Sequence, residues 1–224
     1  MSGAAFLAAA GWAFAYSGPI VDFLLRPARA EGTPLYFFSP ADAFLLRVNA
    51  ALAAGVFLAA PVISAQVWRF VSPGLFDKEK KAFLPLVLAA AALFAAGAAF
   101  AYAAVLPFGF RFLLAFGTDT IRPHLSASSC AAFAVSTMLS FGVAFNLPVI
   151  LAGLCYAGVL RAEFLRRHRR HAAVLVFIAA AVLTPSPDVA GQLLLGIPLA
   201  ALYELGVLAA GIAERLRAAH AVVQ

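Results

Sequence analysis

Polar groups that could do chemistry are few in this chain, and most fall near the ends of apolar runs. The densest group is Asp77, Lys78, Glu79, Lys80 and Lys81, which closes the stretch PVISAQVWRFVSPGLFDKEKK over residues 61–81. Glu79 is flanked closely by cations in a loop held by the Pro73-Gly74 turn, and a carboxylate fixed in that way can receive a guanidinium in bidentate geometry. Spacing alone favours a plainer reading, a solvated charge run. Three further groups lie in or beside apolar helices. Gln66 needs a partner, because an unpaired amide in hydrocarbon is costly, so it is expected to bond a neighbouring helix; helix glue and a functional role both stand. Asn146 sits near the middle of the fourth apolar run, facing either a packed neighbour or a wet cavity. Glu204 follows the sixth run, where a carboxylate near the interface costs little and a structural role is favoured.

No catalytic constellation is present. The chain has no H-E-x-x-H, no P-loop, no paired-cysteine metal spacing and no Gly-rich nucleotide fingerprint. His124 lies in a loop, His168 and His171 in a basic cluster and His220 in the tail, so no metal site is expected. No cofactor is implied, and a primary pump or a membrane-embedded enzyme lacks its chemical groups. Cys130 and Cys155 flank the two ends of one apolar run, too far apart along a helix to bond each other.

The elements that carry these groups must sit in a bilayer. With 64% hydrophobic residues, 12% charged residues and a mean hydropathy of +0.97, the chain of 224 residues has too little polar surface to cover a soluble globule. Its net charge of +6 sits in short clusters between apolar runs, which is a topological signal and not a nucleic-acid groove.

Six runs are legible. Residues 4–25 are broken by Ser17, Gly18 and Pro19 and lack a basic lead, which reads as a first transmembrane helix and not a signal peptide, despite the small-x-small sequence Ala28-Arg29-Ala30. Ser39-Pro40 opens a second helix, with Ser39 as N-cap and Asp42 in the first turn, continuing to about Phe70 with a kink expected at Pro61. A third run spans residues 82–106 and stops at Pro107, and a fourth spans 130–160 with Gly142, Asn146 and Pro148 inside it. The last two, 172–183 and 189–203, come to roughly 18 and 22 Å at about 1.5 Å per residue, short of a hydrocarbon core of about 30 Å. Six spans put both termini on one side. That side carries Arg69, Lys78, Lys80, Lys81, Arg161, Arg166, Arg167, Arg169, Arg170, Arg215 and Arg217, against Arg26, Arg29, Arg111 and Arg122 opposite, so both termini are expected in the cytoplasm.

Taken in order, SPADAF at 39–44, the 61–81 stretch, FGVAFNLPV at 141–149 and LTPSPDVAGQLLLGIPLAALYELG at 183–206 resemble the TatC family, the polytopic subunit of the twin-arginine protein translocase. The likeness covers nearly the whole chain. It implies one all-α domain over residues 1–224, with six transmembrane helices in a cup-shaped arrangement, the last two short. It also implies a cytoplasmic-membrane protein that recognises the twin-arginine signal peptides of folded cargo and self-associates in a complex. Single-span TatA and TatB partners and transport driven by the proton gradient follow from the same likeness.

By position, the resemblance makes Glu79, with Lys78, Lys80 and Lys81 around it, the signal-peptide site. Thr184 and Gln192 match a polar cluster for partner helices. Pro61, Gln66, Pro73 and Gly74 shape the loop, and Pro148 is structural. Two departures stand out. The sequence starts inside the first helix, without the cytoplasmic amphipathic segment that the resemblance implies, so half of the expected site is missing from it, either through true truncation or because the coding start is assigned too late. The fourth-helix position usually held by Glu or Gln is Asn146, which cannot titrate. The alternative function, a multi-span small-molecule transporter or channel, would call for internal inverted repeats, and the halves show no convincing self-similarity.

Overall fold

The computed structural model describes residues 2–30, 32, 34–71, 80–115, 124–156, 158–183 and 189–222. Long runs of Ala, Leu, Val and Phe must satisfy their backbone groups internally in hydrocarbon, and these residues do so almost entirely as helix. In chain order they are α1 (Ser2–Ala15), α2 (Ser17–Arg29), α3 (Asp42–Val71), α4 (Lys80–Phe100), a π-helical turn Ala101–Val105, α5 (Leu106–Leu114), α6 (Ala127–Ala144), α7 (Leu147–Tyr156), α8 (Ala162–Arg167), α9 (Arg169–Leu183) and α10 (Val189–Val222). The strands are two residues each, β1 (Leu35–Tyr36) and β2 (Leu125–Ser126), paired in parallel with Leu35 opposite Leu125.

Four helical segments among the described residues are long and apolar enough to cross a bilayer: Asp42–Ile63, Val87–Leu114, Ala127–Tyr156 and Leu195–Arg215. The chain is an all-α polytopic membrane protein. The remaining expected spans fall on α1 with α2 and on α9, which are 14, 13 and 15 residues long.

Local chemistry explains most boundaries. Tyr16 separates α1 from α2, at the Ser17-Gly18-Pro19 break. The entry to α3 is a reciprocal cap: the Ser39 hydroxyl accepts from the Ala41 N–H at 3.3 Å, while the Asp42 carboxylate accepts from the Ser39 and Phe38 N–H groups at 3.1 and 3.0 Å. Those donors would otherwise be orphans at a helix start. Pro61 lies inside α3, which remains one 30-residue helix, about 45 Å long at 1.5 Å per residue.

Two helices run further than the sequence suggests. The third apolar helix does not stop at Pro107. The π-helical turn Ala101–Val105 leads into α5, whose first turn takes Pro107 where a missing N–H costs little, and helix continues to Leu114. The sixth is not short: α10 passes through Glu204 and runs for 34 residues, about 51 Å. Glu204 does not end it, because Arg169 at 3.1 Å offsets the charge and apolar sequence resumes at Leu205.

The chain divides into two compact units. The first holds Met1–Gln66 and Gly97–Phe141, the second Val67–Ala96 and Gly142–Gln224. The first is cored by small side chains, including Ala13, Ala28, Ala50, Ala101 and Ala134, with Leu106, Phe110 and Phe141 filling between them. Small residues let backbones approach: a Cβ on Gly55 of α3 would stand 3.0 Å from the Ala10 Cβ of α1. Tyr102 stacks on Phe23 at 4.2 Å and its hydroxyl donates to the Phe23 carbonyl at 2.9 Å, joining the π turn to α2. In the second unit α10 packs along α7 and against α9 and α8.

Candidate functional site

The polar residues of the second unit gather on α10 and on the elbow that joins α7 to α9. Along α10, Tyr203, Val207, Ala210 and Glu214 recur at helical spacing on one face. Val207 and Ala210 are fully buried against Cys155, Ala162 and Leu165, and Tyr203 packs beside them. The polar ends of this face grip the elbow. The Tyr203 hydroxyl donates to the Leu165 carbonyl at 2.9 Å, and the Glu214 carboxylate accepts from the Ala162 N–H at 3.1 Å, capping the first turn of α8. Arg169 pairs with Glu204 at 3.1 Å, both about half exposed. Sequence reading assigned no role to Tyr203 or Glu214 and counted Arg169 only toward topology; the helical spacing of Tyr203, Val207, Ala210 and Glu214 on α10 is the signal that could have found the first two.

Closer to its start, α10 meets α9 through Gln192, whose Nε2 donates to the Phe177 carbonyl at 3.1 Å. One turn on, Gly196 lies under the Phe177 ring, and a Cβ there would stand 2.6 Å from it. Gln192 is half-buried and uses its amide between helices of its own chain. Thr184, its expected companion, lies outside the described residues.

Asn146 occupies the two-residue break between α6 and α7. Its Nδ2 donates to the Gly142 carbonyl at 2.9 Å, while its own N–H turns to Val143 at 3.0 Å. Pro148, the second residue of α7, brings no N–H to the Ala144 carbonyl, and because the Asn146 N–H has turned to Val143 the Asn146 side-chain amide takes over the Gly142 carbonyl. The side chain therefore binds its own helix, and neither an interhelical bond nor a cavity is needed to account for it. Pro148 is buried under α10, where Gly206 allows the approach.

Gln66 is exposed on α3, beyond the apolar segment that ends at Ile63, and makes no hydrogen bond among the described residues, so the expected bond to a neighbouring helix is not seen. Pro61 is exposed on the same helix. Lys80 and Lys81 begin α4. Lys78, Glu79, Pro73 and Gly74 lie outside the described residues. Cys130 and Cys155 are buried and unbonded to each other. Among the described residues no group of three or more His, Cys, Asp or Glu side chains converges as a metal site would require.

Comparison with known proteins adds an independent line. Residues 1–198 match the family model described as TatC, Sec-independent protein translocase protein. The Sec-independent protein translocase protein TatC of Desulforapulum autotrophicum is 38% identical over 201 residues, covering 88% of this chain and 74% of that one. Its counterpart in Aquifex aeolicus is 36% identical over 215 residues, covering 94% and 89%. A crystal structure of the twin-arginine translocase receptor TatC superimposes with a TM-score of 0.83 at 36% identity, over 95% of this chain and 94% of that one.

Proposed function

The chain belongs to the TatC family of Sec-independent protein translocase subunits, and from that premise we propose that it is the signal-peptide receptor and translocation core of a twin-arginine system. One observation carries this: the likeness to a solved twin-arginine translocase receptor runs over 95% of the chain at 36% identity, a length over which the whole architecture is shared.

In this reading the chain is one functional domain with six spans in the cytoplasmic membrane, both termini facing the cytoplasm, as the cation count favours. Glu79 reads a guanidinium of the paired arginines, with Lys78, Lys80 and Lys81 drawing in the surrounding peptide. A carboxylate is the side chain that matches a planar guanidinium fork with two parallel bonds. Thr184 and Gln192 form the polar hook for the single helices of TatA- and TatB-type partners. Because Gln192 already donates to Phe177, a partner would compete with that bond or accept from the second amide hydrogen. The work is transport of folded cargo, coupled to the proton gradient and not to catalysis. Asn146 cannot carry a proton, so coupling must use other groups.

The test is site-directed photocrosslinking with a probe at residue 79 in native membranes. Capture of a twin-arginine signal peptide, lost when its arginine pair is changed to lysines, supports the assignment. A correctly inserted chain that captures no signal peptide defeats it and favours a multi-span small-molecule transporter instead.

A further inference from the structure

Residues 159–171 bring five arginines and two exposed apolar side chains into one elbow, immediately after the apolar segment that ends at Tyr156. Their partners divide the arginines. Arg169 is paired with Glu204, and the Arg166 guanidinium lies over Gly211, its Nη2 3.1 Å from where a Cβ would stand. Arg161, Arg167 and Arg170 are exposed, and no carboxylate pairs with them among the described residues. The acids nearby do not balance them. Glu204 holds Arg169, Glu214 holds the α8 N-terminus, and exposed Glu163 is the one other carboxylate in the elbow.

A merely solvated charge run would have no need of a fixed backbone, yet this one is clamped. Ala162 and Leu165 are buried against α10, with the Tyr203 hydroxyl and the Glu214 carboxylate bonded to their main chain. The clamp fixes where the free guanidinium groups stem from. Guanidinium forks match phosphate oxygens, and fixing them beforehand lowers the ordering cost of binding. Val159 at 69% exposed and Phe164 at 52% stand in the same elbow, with the Phe164 ring 4.1 Å from that of His168. A soluble anion has no use for these apolar groups, whereas a lipid presents its phosphate and its acyl boundary together.

We propose that the α7–α9 elbow is a seat for anionic phospholipid, with Arg161, Arg167 and Arg170 holding the headgroup phosphate and Val159 and Phe164 meeting the acyl region. This stands apart from the signal-peptide assignment. It would lock the α8 turn and α10 to the membrane surface as one piece.

The experiment is native mass spectrometry of the full chain purified in neutral detergent, with dioleoyl phosphatidylglycerol and dioleoyl phosphatidylcholine offered in equal amounts. A basic residue at an anionic membrane surface is worth roughly fivefold in binding, so the three together should favour the anionic lipid by at least about tenfold. The combined Arg161→Gln, Arg167→Gln, Arg170→Gln variant should fall to parity, and Arg170→Gln alone should lose a few-fold. Three lysines at the same positions should keep part of the preference. Arg26→Gln with Arg47→Gln, in the other unit, should keep all of it. Val159→Ser with Phe164→Ser should release the lipid. A triple glutamine variant that keeps the wild-type preference for the anionic lipid, or loss of that preference in the Arg26 and Arg47 control, overturns the site. Displacement of the lipid by an equal concentration of inorganic phosphate overturns the lipid assignment in favour of a soluble anion.

Discussion

Gly206→Ala tests the packing on which the second unit rests. Gly206 lies where α10 crosses α7. A Cβ there would stand 2.8 Å from the Leu151 Cδ1 and 3.2 Å from the Pro148 Cα. The first contact is the end of a side chain that can rotate. The second is backbone, held beside the Asn146 break by a residue that has no N–H to rearrange. α10 must therefore shift outward, and Val207 and Ala210, both fully buried, shift with it. Overpacking of this kind costs roughly 1–3 kcal/mol. In a chain of this size each kcal/mol moves the midpoint by about 2–4 °C, so Gly206→Ala should fall by roughly 2–12 °C. The assay is the loss of monodisperse protein on heating in detergent, followed by size-exclusion fluorescence. Leu151→Ala should relieve the 2.8 Å contact but not the 3.2 Å one, so the double variant should be less destabilised than the two singles added, with a coupling of about 0.5–3 kcal/mol. A Gly206→Ala midpoint within about 1 °C of wild type, or strictly additive singles, would refute the reasoning.

Three further outcomes are expected. Glu79→Ala and Glu79→Lys should abolish export of twin-arginine cargo while membrane insertion, read by protease protection, stays normal; normal export by either variant would remove Glu79 from the site. Arg169→Gln should cost less than about 1 kcal/mol, because a half-exposed ion pair is screened, and the difference from wild type should shrink at high salt; a salt-independent loss of several degrees would contradict that. Asn146→Leu should destabilise by about 1 kcal/mol through the Gly142 carbonyl it leaves unpaired, whereas Asn146→Gln should leave export intact if the residue is structural; loss of export at unchanged thermal midpoint would show a role in transport.

What could be read from the sequence was what is decided locally. The Ser39 to Asp42 cap needs only residues within one turn, and its types announce it. The break at Tyr16 follows from Ser17, Gly18 and Pro19 in the same way. The misreadings share a different cause. Glu204 looked like a helix end because its neutralising partner, Arg169, is on another helix. Pro107 looked like a stop because the π turn that precedes it is written in Ala, Tyr and Val, residues that any helix could use. The bond that Asn146 makes was not legible either, because the Gly142 carbonyl is left to its side chain only when its own N–H turns to Val143. Glu79 could not be raised above a solvated charge by spacing; the family resemblance did that, and its surroundings lie outside the described residues.

Five described polar side chains of the second unit are already engaged in holding their own fold. Gln192 binds Phe177, Tyr203 binds Leu165, Glu214 binds Ala162, Asn146 binds Gly142, and Glu204 binds Arg169. An unpaired amide or hydroxyl in hydrocarbon costs more than it does in water, so truncating any of these lowers stability before it touches recognition. Loss of export in such a variant is therefore ambiguous by construction. Gln192 is the position where the ambiguity can be resolved, because its Nε2 has a second hydrogen to give. Gln192→Glu removes both donors yet keeps an acceptor, and Gln192→Leu removes everything. If the residue serves only α9, both variants should lower the thermal midpoint and depress export in the same proportion. If a partner helix also binds there, crosslinking to that helix should fall further than stability predicts, and the excess measures the partner's share of the site.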